Sequence, residues 1–368
     1  MNGKLLSVSR LSPFALSMSK GQPKPSGLLL LLAFALLEAF LWSPNIMAAS
    51  LEREPAFRDN FYSVEIRGHL SWIVGYYGTI LHSRDRGLSW EVQNSETREA
   101  LFRVVFVDEQ RGWVSGSYGK ILHTSSGGRN WQTQQTPTRE HLFGLTFGSE
   151  GLGWAVGSRG TVLHTEDGGA SWVNRPVTED VILNDVSFID ARQGWVVGEF
   201  GRIYRSRDGG RTWLKQQSPI EVSFVSGQSR NLFRLLFPNS EAGWAFGLDG
   251  VILRTRNGER WDVIHQDGAS LNYTKRHHLF SASVFGGKKW AVGERGTLLV
   301  AAVGDDQWRT AGLRIPPVTL NGIAFGHDGF GLIVGNRGLV FRTEDGGKQW
   351  KQIPIVPKAP GKGVSKFP

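Results

Sequence analysis

The chain has 368 residues, 47 of them glycine and 14 tryptophan, with no cysteine, which excludes disulfides, thiolate catalysis and lipid attachment of the bacterial lipoprotein type. Its formal charge of +9 divides in three. Residues 1–50 hold Lys4, Arg10, Lys20 and Lys24 against Glu38, the segment after Val356 holds Lys358, Lys362 and Lys366, and the body keeps only +3, too dilute for a nucleic-acid binder.

In chain order, a basic stretch comes first and an apolar run over 27–42 follows, interrupted by Glu38. Ala48, Ala49 and Ser50 offer a cleavage site, so residues 1–50 are expected to be a signal peptide or, uncleaved, an N-terminal membrane anchor. The run is short for a spanning helix. The body is accordingly expected to be exported, to the periplasm, the cell exterior or a lumen.

From there the tryptophans keep time. One series falls at Trp72, Trp113, Trp154, Trp195, Trp244 and Trp290, a second at Trp90, Trp131, Trp172, Trp213, Trp261, Trp308 and Trp350. The early steps are 41 residues and later ones reach 49. A repeat of this length is one supersecondary unit, copied because a single copy cannot bury its own apolar faces. The second copy is the clearest. Leu101–Val107 is an apolar run of strand length, and Asp108–Arg111 turns it into Gly112–Gly116. Tyr118-Gly119 turns it again into Lys120–Thr124, and Asn130–Gln135 completes the unit. Four short antiparallel strands per copy make the blade of a β-propeller. With Leu332 standing for tryptophan in the last copy, the count is seven. The fold class is all-β, a seven-bladed β-propeller over 51–356, with 357–368 a flexible basic tail. Ring closure is expected between the segment around Glu54–Asp59 and the last blade near Ile353–Ile355.

Between third and fourth strands several copies carry Ser/Thr-x-Asp-x-Gly-x-Ser/Thr-Trp, complete at Ser83–Trp90, Thr165–Trp172 and Ser206–Trp213, and nearly so at Thr343–Trp350. Asp85, Asp167, Asp208 and Asp345 are expected to accept backbone N–H bonds inside these turns. The second copy has Ser126 for Asp, the fifth is a residue short with Asn257, and the sixth has lost the motif. The motif resembles the Asp-box (BNR) repeat of sialidases and sortilin-like propellers. The longer pattern, Gly-Trp-x-x-Gly-x-x-Gly-x-Ile-Leu-x-Ser/Thr before the Asp-box, is similar to the photosystem II stability/assembly-factor family over residues 55–353. That resemblance implies an exported, non-enzymatic assembly factor that binds a membrane-protein complex or its extramembrane loops, partly through an arginine-rich surface. No cofactor and no metal are expected, and a monomer, peripherally associated with the membrane, is.

In a propeller the loops from second to third strands share one end with the loops between blades. The first set presents Tyr77, Tyr118, Arg159, Phe200, Asp249, Arg295 and Arg337, mostly residue types enriched at interface hot spots. The second adds Arg98, Arg139, Arg230 and Arg276, while Arg103 and Arg234 sit on inner strands that face the channel. Together they suit acidic loops or a carboxylate-bearing terminus. The plainer expectation is that these cations pair with neighbours such as Glu99, Glu140 and Asp185. His82, His123 and His164 share one repeat position, too far apart on three blades to hold one ion, and His277-His278 belongs to a loop. Two other functions compete. One is a periplasmic accessory subunit of an envelope transport complex. The other is a sialidase-like glycoside hydrolase, which needs a tyrosine nucleophile and an acid/base carboxylate beside arginines; Gly201-Arg-Ile-Tyr204 is the nearest approach.

Overall fold

A computed structural model describes residues 59–148, 151–222, 230–240, 242–264, 277–311 and 316–355, and the backbone of 357–358. The expected leader over 1–50 lies outside the described residues. Seven sheets of four antiparallel strands are each built from one contiguous stretch of chain, confirming the seven-bladed propeller. Blade 2 runs Leu101–Phe106, Gly112–Gly116, Ile121–Thr124 and Gln132–Gln134 from the axis outward. The second strand of this blade is buried along its whole length, because blades cover it on both sides. Adjacent apolar residues such as Ile121-Leu122 therefore both face protein.

Each apolar core lies between blades. Trp72, Val74 and Ile80 of blade 1 pack with Leu101, Val104, Phe106, Val114, Leu122 and Trp131 of blade 2. The Gly-Trp pair explains itself in this seam. Phe106 stacks on Trp72 at 3.7 Å and meets Trp131 edge-on at 6.0 Å. A Cβ on Gly112 would stand 2.4 Å from the Phe106 ring, so glycine makes room for the phenyl group. The Trp72 indole then donates to the Gly127 carbonyl in the Asp-box turn of the following blade, at 3.2 Å. Trp113 to Gly168, Trp154 to Gly209 and Trp195 to Gly258 repeat that bond at 2.9–3.0 Å. Stack and bond together contribute about 1–3 kcal/mol per seam.

Blade 6 departs from the pattern, and the departure is concerted. Lys289 occupies the position of the glycine, with its ammonium 3.9 Å from the Trp244 ring centroid in place of a stacked phenylalanine. The ammonium donates to the carbonyl of Asp305 at 2.6 Å, in the turn where the sixth copy lacks its Asp-box. Trp244 Nε1, which has no such turn to reach, is left without a hydrogen-bond partner.

Of the segment expected to close the ring, residues 54–58 lie outside the described residues. Ile353 pairs with Val340 inside blade 7, which completes itself, and blade 1 is completed by Phe61–Gln93. The chain then crosses back: Ile355 joins the core between blades 7 and 1, and Pro357–Lys358 adds a fifth strand parallel to Trp90–Gln93. Residues 357 and 358 thus belong to the propeller rather than to the tail. Repeat copies that are whole in sequence leave no strand to exchange, so the ring is latched at its outer rim.

Candidate partner-binding face

In every blade a three-residue 3-10 turn joins the second strand to the third, from Tyr76–Gly78 in blade 1 to Asn336–Gly338 in blade 7. Its middle residue is left-handed without exception. φ is +54° at Tyr77 and Tyr118, +57° at Arg159, +56° at Phe200, +53° at Asp249, +54° at Arg295 and +61° at Arg337. Aspartate tolerates this region, but aromatic and arginine residues hold it at about 1–2 kcal/mol each. The glycine that follows is obligatory, since a Cβ on Gly78 would lie 1.9 Å from the Thr97 carbonyl oxygen.

The following blade holds each turn in place. Gly78 N donates to Glu99 O at 2.9 Å, Gly119 N to Glu140 O at 2.7 Å and, around the closed ring, Gly338 N to Asp59 O at 2.7 Å. At Tyr118, Phe200, Asp249 and Arg337 the strained residue's own N–H is capped by a side chain just ahead of the next inner strand. His141 Nδ1 takes Tyr118 N at 3.4 Å, His278 Nδ1 takes Asp249 N at 3.0 Å and Asn60 Oδ1 takes Arg337 N at 3.2 Å. His278 is therefore a turn cap.

Ring order groups residues that are scattered in sequence. Blades 6, 7, 1, 2 and 3 are consecutive around the axis and present Arg295, Arg337, Tyr77, Tyr118 and Arg159 as one crescent. Tyr77 is 54% and Tyr118 63% exposed, unusually open for tyrosine. Arg98 reaches over the Tyr77 ring at 5.8 Å and Arg139 is exposed on the next loop. Of the expected pairings, Arg159 stands 4.0 Å from Glu140 at a largely solvated contact, and Arg234 stands 3.5 Å from Asp185. Arg139, Arg295 and Arg337 have no ion pair among the described residues. Arg230 lies between blades 4 and 5, off the crescent, as does half-buried Phe200 in blade 4. Arg276 lies outside the described residues.

Blade 4 closes the crescent with the opposite character. Arg202 and Lys215 clamp Glu179 and Glu221 at 2.7–3.0 Å. Burial raises the Glu179 pKa, but the bonds from Arg202 and Lys215 outweigh it and hold the carboxyl below its usual range. Tyr204 lies buried beside them, its phenol pushed well up by burial and then by the Glu179 charge.

Sequence reasoning missed a ring at the channel mouth. The inner strands slip register after their first residue, so one extra residue bulges in each blade, at Tyr62, Phe102, Phe143, Asn184, Phe233, Phe280 and Asn321. Tyr62–Phe102, Phe102–Phe143 and Phe233–Phe280 centroids are 5.9, 5.0 and 5.1 Å apart. Asn184 and Asn321 instead bond the next inner strand, at Leu232 O and Phe61 O. The doublets Leu101-Phe102, Leu142-Phe143, Leu232-Phe233 and Leu279-Phe280 were the available signal, because neighbours that both face inward need a bulge.

The Asp-box turns lie at the other end of the blades and are structural. Asp85 Oδ1 takes Ser89 N at 2.8 Å and Ser83 Oγ at 2.9 Å, while Asp167 takes Ser171 N at 2.9 Å and Asp208 takes Thr212 N at 2.9 Å. The Ser171 hydroxyl and N–H hold Asp167 down at about 2. Hydrogen bonds from Thr212 and Ser206, against a burial effect of opposite sign, bring Asp208 to about 2 as well. Asp345 takes Gln349 N at 2.9 Å, and Ser126 and Asn257 perform the same bond in blades 2 and 5. The histidines at the shared third-strand position lie flat on their own blade's tryptophan, His82 on Trp72 at 4.9 Å, His123 on Trp113 at 5.0 Å and His164 on Trp154 at 5.4 Å. Arg205 and Arg254 cover Trp195 and Trp244 in the same way.

Fold and turn chemistry define a seven-bladed propeller of the Asp-box class with a basic–aromatic crescent at its loop end. The sequence profile of the photosynthesis system II assembly factor YCF48 matches at residues 49–135, 88–180, 129–213, 175–269 and 275–365, and the chain belongs to that family. No curated protein sequence matches. Among solved structures, YCF48 bound to a D1 peptide is similar at 20% identity with a TM-score of 0.61, over 78% of this chain and 93% of that one. YCF48 from Cyanidioschyzon merolae is similar at 17% identity with a TM-score of 0.61, over 78% and 96%. A GH74 xyloglucanase from Xanthomonas campestris shares the fold at 13% identity and a TM-score of 0.62, over 80% of this chain and 53% of its own.

Proposed function

We propose that this propeller is a non-enzymatic, exported assembly factor that holds an extended segment of a membrane-protein subunit across the crescent of blades 6, 7, 1, 2 and 3. One observation carries the reading. Six non-glycine, non-aspartate side chains are kept at left-handed positions where glycine is cheaper, and five of them form a continuous exposed arc. Membership of the YCF48 family supports it, and one similar structure holds a peptide of D1. Arginines on both sides of a pair of flat aromatics suit a chain that offers apolar side chains flanked by carboxylates. A monomer suffices, since one chain carries the whole arc.

The glycosidase reading finds no support in the residues it would need. A nucleophilic tyrosine requires a phenol made easier to ionise, whereas burial and Glu179 make Tyr204 harder to ionise, and Glu179 is committed to Arg202 and Lys215. The test is capture from detergent-solubilised membranes by the purified, immobilised protein. Recovery of a photosystem core supports the assembly role, and recovery of a transporter instead favours the envelope accessory role. Replacing Arg159, Arg295 and Arg337 by Gln together is expected to lower recovery about tenfold or more. Undiminished recovery refutes the crescent, and turnover of a sialoside or of xyloglucan by the purified protein refutes the non-enzymatic reading.

A further inference from the structure

The axial channel carries a second, independent feature. The inner strands Phe61–Arg67, Leu101–Phe106, Leu142–Phe147, Leu183–Phe188, Leu232–Leu236, Leu279–Phe285 and Leu320–Phe325 hold five formally charged side chains: Glu65, Arg67, Arg103, Asp185 and Arg234. Three of these are cations and two are anions. Both carboxylates are already engaged. Glu65 pairs with Arg67 at 3.0 Å, and Arg67 Nε also donates to Phe106 O at 2.7 Å. Asp185 takes Leu235 N at 2.8 Å and stands 3.5 Å from Arg234. Arg103 is left over: its Nε is buried without a hydrogen-bond partner, and no ion pair reaches its guanidinium among the described residues.

Arg103 and Arg234 border a cavity of about 190 Å³ on the axis, together with Glu65, Ser281 and Ser283. Level with Arg103 on the other inner strands stand Ser63, Gly144, Asp185, Arg234, Ser281 and Gly322, and of these the small Ser63, Ser281 and Gly322 line the cavity beside the two arginines. Burial and then the Arg234 charge hold Arg103 down to about 10 against the opposing pull of Asp185 and Glu65, and an anion between the two arginines would offset their mutual repulsion. A single unit of surplus charge calls for a monoanion. A guanidinium fork with serine hydroxyls beside it is the geometry that recognises a planar carboxylate.

We infer that the axial cavity is a binding site for one carboxylate group, held by Arg103 with Arg234, Ser281 and Ser283 completing its donors. The carboxylate comes either from a free organic acid or from the terminus of a chain threaded past Tyr62, Phe102 and Phe143 at the mouth. This site stands on the inner strands alone and does not depend on the crescent. The full chain would be titrated with acetate at constant ionic strength and neutral pH, reading calorimetric heat and the thermal midpoint, with triglycine and its C-terminal amide as further probes. Acetate is expected to bind and to raise the midpoint. Arg103→Met is expected to weaken it about tenfold or more, Arg103→Lys less, and Arg260→Met on the outer surface not at all. Near-UV circular dichroism of the tryptophan seams reports whether each variant is folded, and Arg234→Met serves as the alternative if Arg103→Met is not. Triglycine binding that the amide lacks identifies a chain terminus as a ligand that fits, whereas acetate binding without triglycine restricts the site to small acids. No acetate binding, or equal affinity in wild type and the Arg103 and Arg234 variants, overturns the assignment.

Discussion

Lys289 offers a stability experiment whose sign follows from its surroundings. The ammonium is fully buried between Trp244 and Trp308, and burial lowers its pKa from 10.5 to about 8. Below pH 8 both folded and unfolded chains bind the proton, so the cost of burying the charge is present in full. Between 8 and 10.5 the unfolded chain still binds it and the folded chain has released it, so stability rises with pH. Linkage over pH 7 to 10 gives a gain of about 2.5 kcal/mol, or roughly 4 °C in the midpoint of a propeller of this size. The assay is denaturant unfolding at half-unit steps from pH 7 to 10, on wild type and on Lys289→Met, which keeps the length of the side chain without the amine. Tyr204 and Tyr62, whose phenols are pushed up by burial, pull stability down near the alkaline end in both proteins. The difference curve, wild type minus variant, isolates Lys289. A difference that stays flat across the range would falsify the argument, because the lysine would then be as free to titrate folded as unfolded.

At the acid side His82 has both ring nitrogens buried without partners, and burial, followed by the Arg84 charge, lowers it from 6.5 to about 4. Its contribution is present above pH 6.5 and is lost as pH falls through 4, about 3 kcal/mol in all. His82→Phe, which retains the stack on Trp72, is expected to unfold at lower pH than wild type in an acid titration, and an unchanged acid midpoint would count against the assignment. At the crescent, Arg337→Gly removes the left-handed strain and is expected to stabilise the fold by about 1 kcal/mol in denaturant unfolding. The same variant is expected to bind partner membranes less well. A variant that is less stable, or that binds equally, would mean that arginine is there for the turn and not for a ligand.

The tryptophan and glycine spacing carried the blade count because each marks a contact every seam must make, as the Phe106 ring lying against Gly112 illustrates. The 2–3 turns were legible for the same reason, since a Gly-x-x-Gly turn has few ways to be built. Their left-handed middle residues were not, because the sequence shows tyrosine and arginine where a positive φ ordinarily advertises itself as glycine or asparagine. The strand that Pro357–Lys358 adds beside Trp90–Gln93 was not legible, because two residues of a basic Pro/Gly/Lys segment carry no strand pattern. The bulge residues were hidden because a periodicity-based reading assigns Leu101 and Phe102 to opposite faces, whereas the inserted residue turns both toward protein or channel. Lys289 reads in sequence as a decayed repeat, and only the structure joins it to the missing Asp-box sixteen residues on.

The two ends of the blades divide labour in a way the sequence repeats but does not explain. At the Asp-box end, the turns satisfy their own donors and accept the indole N–H of the preceding blade, so substitution there costs stability at a seam. At the loop end, the turns are anchored chiefly through backbone atoms of the next blade, with side-chain caps in some blades, and the exposed middle side chains Tyr77, Tyr118, Arg159, Arg295 and Arg337 are released from most structural duty. That release is what permits Tyr, Arg, Phe and Asp to succeed one another at one position around the ring. A surface whose scaffold is carried chiefly by backbone can change its side chains without changing its fold, and at six of its seven left-handed positions this one keeps residues for which that conformation is strained.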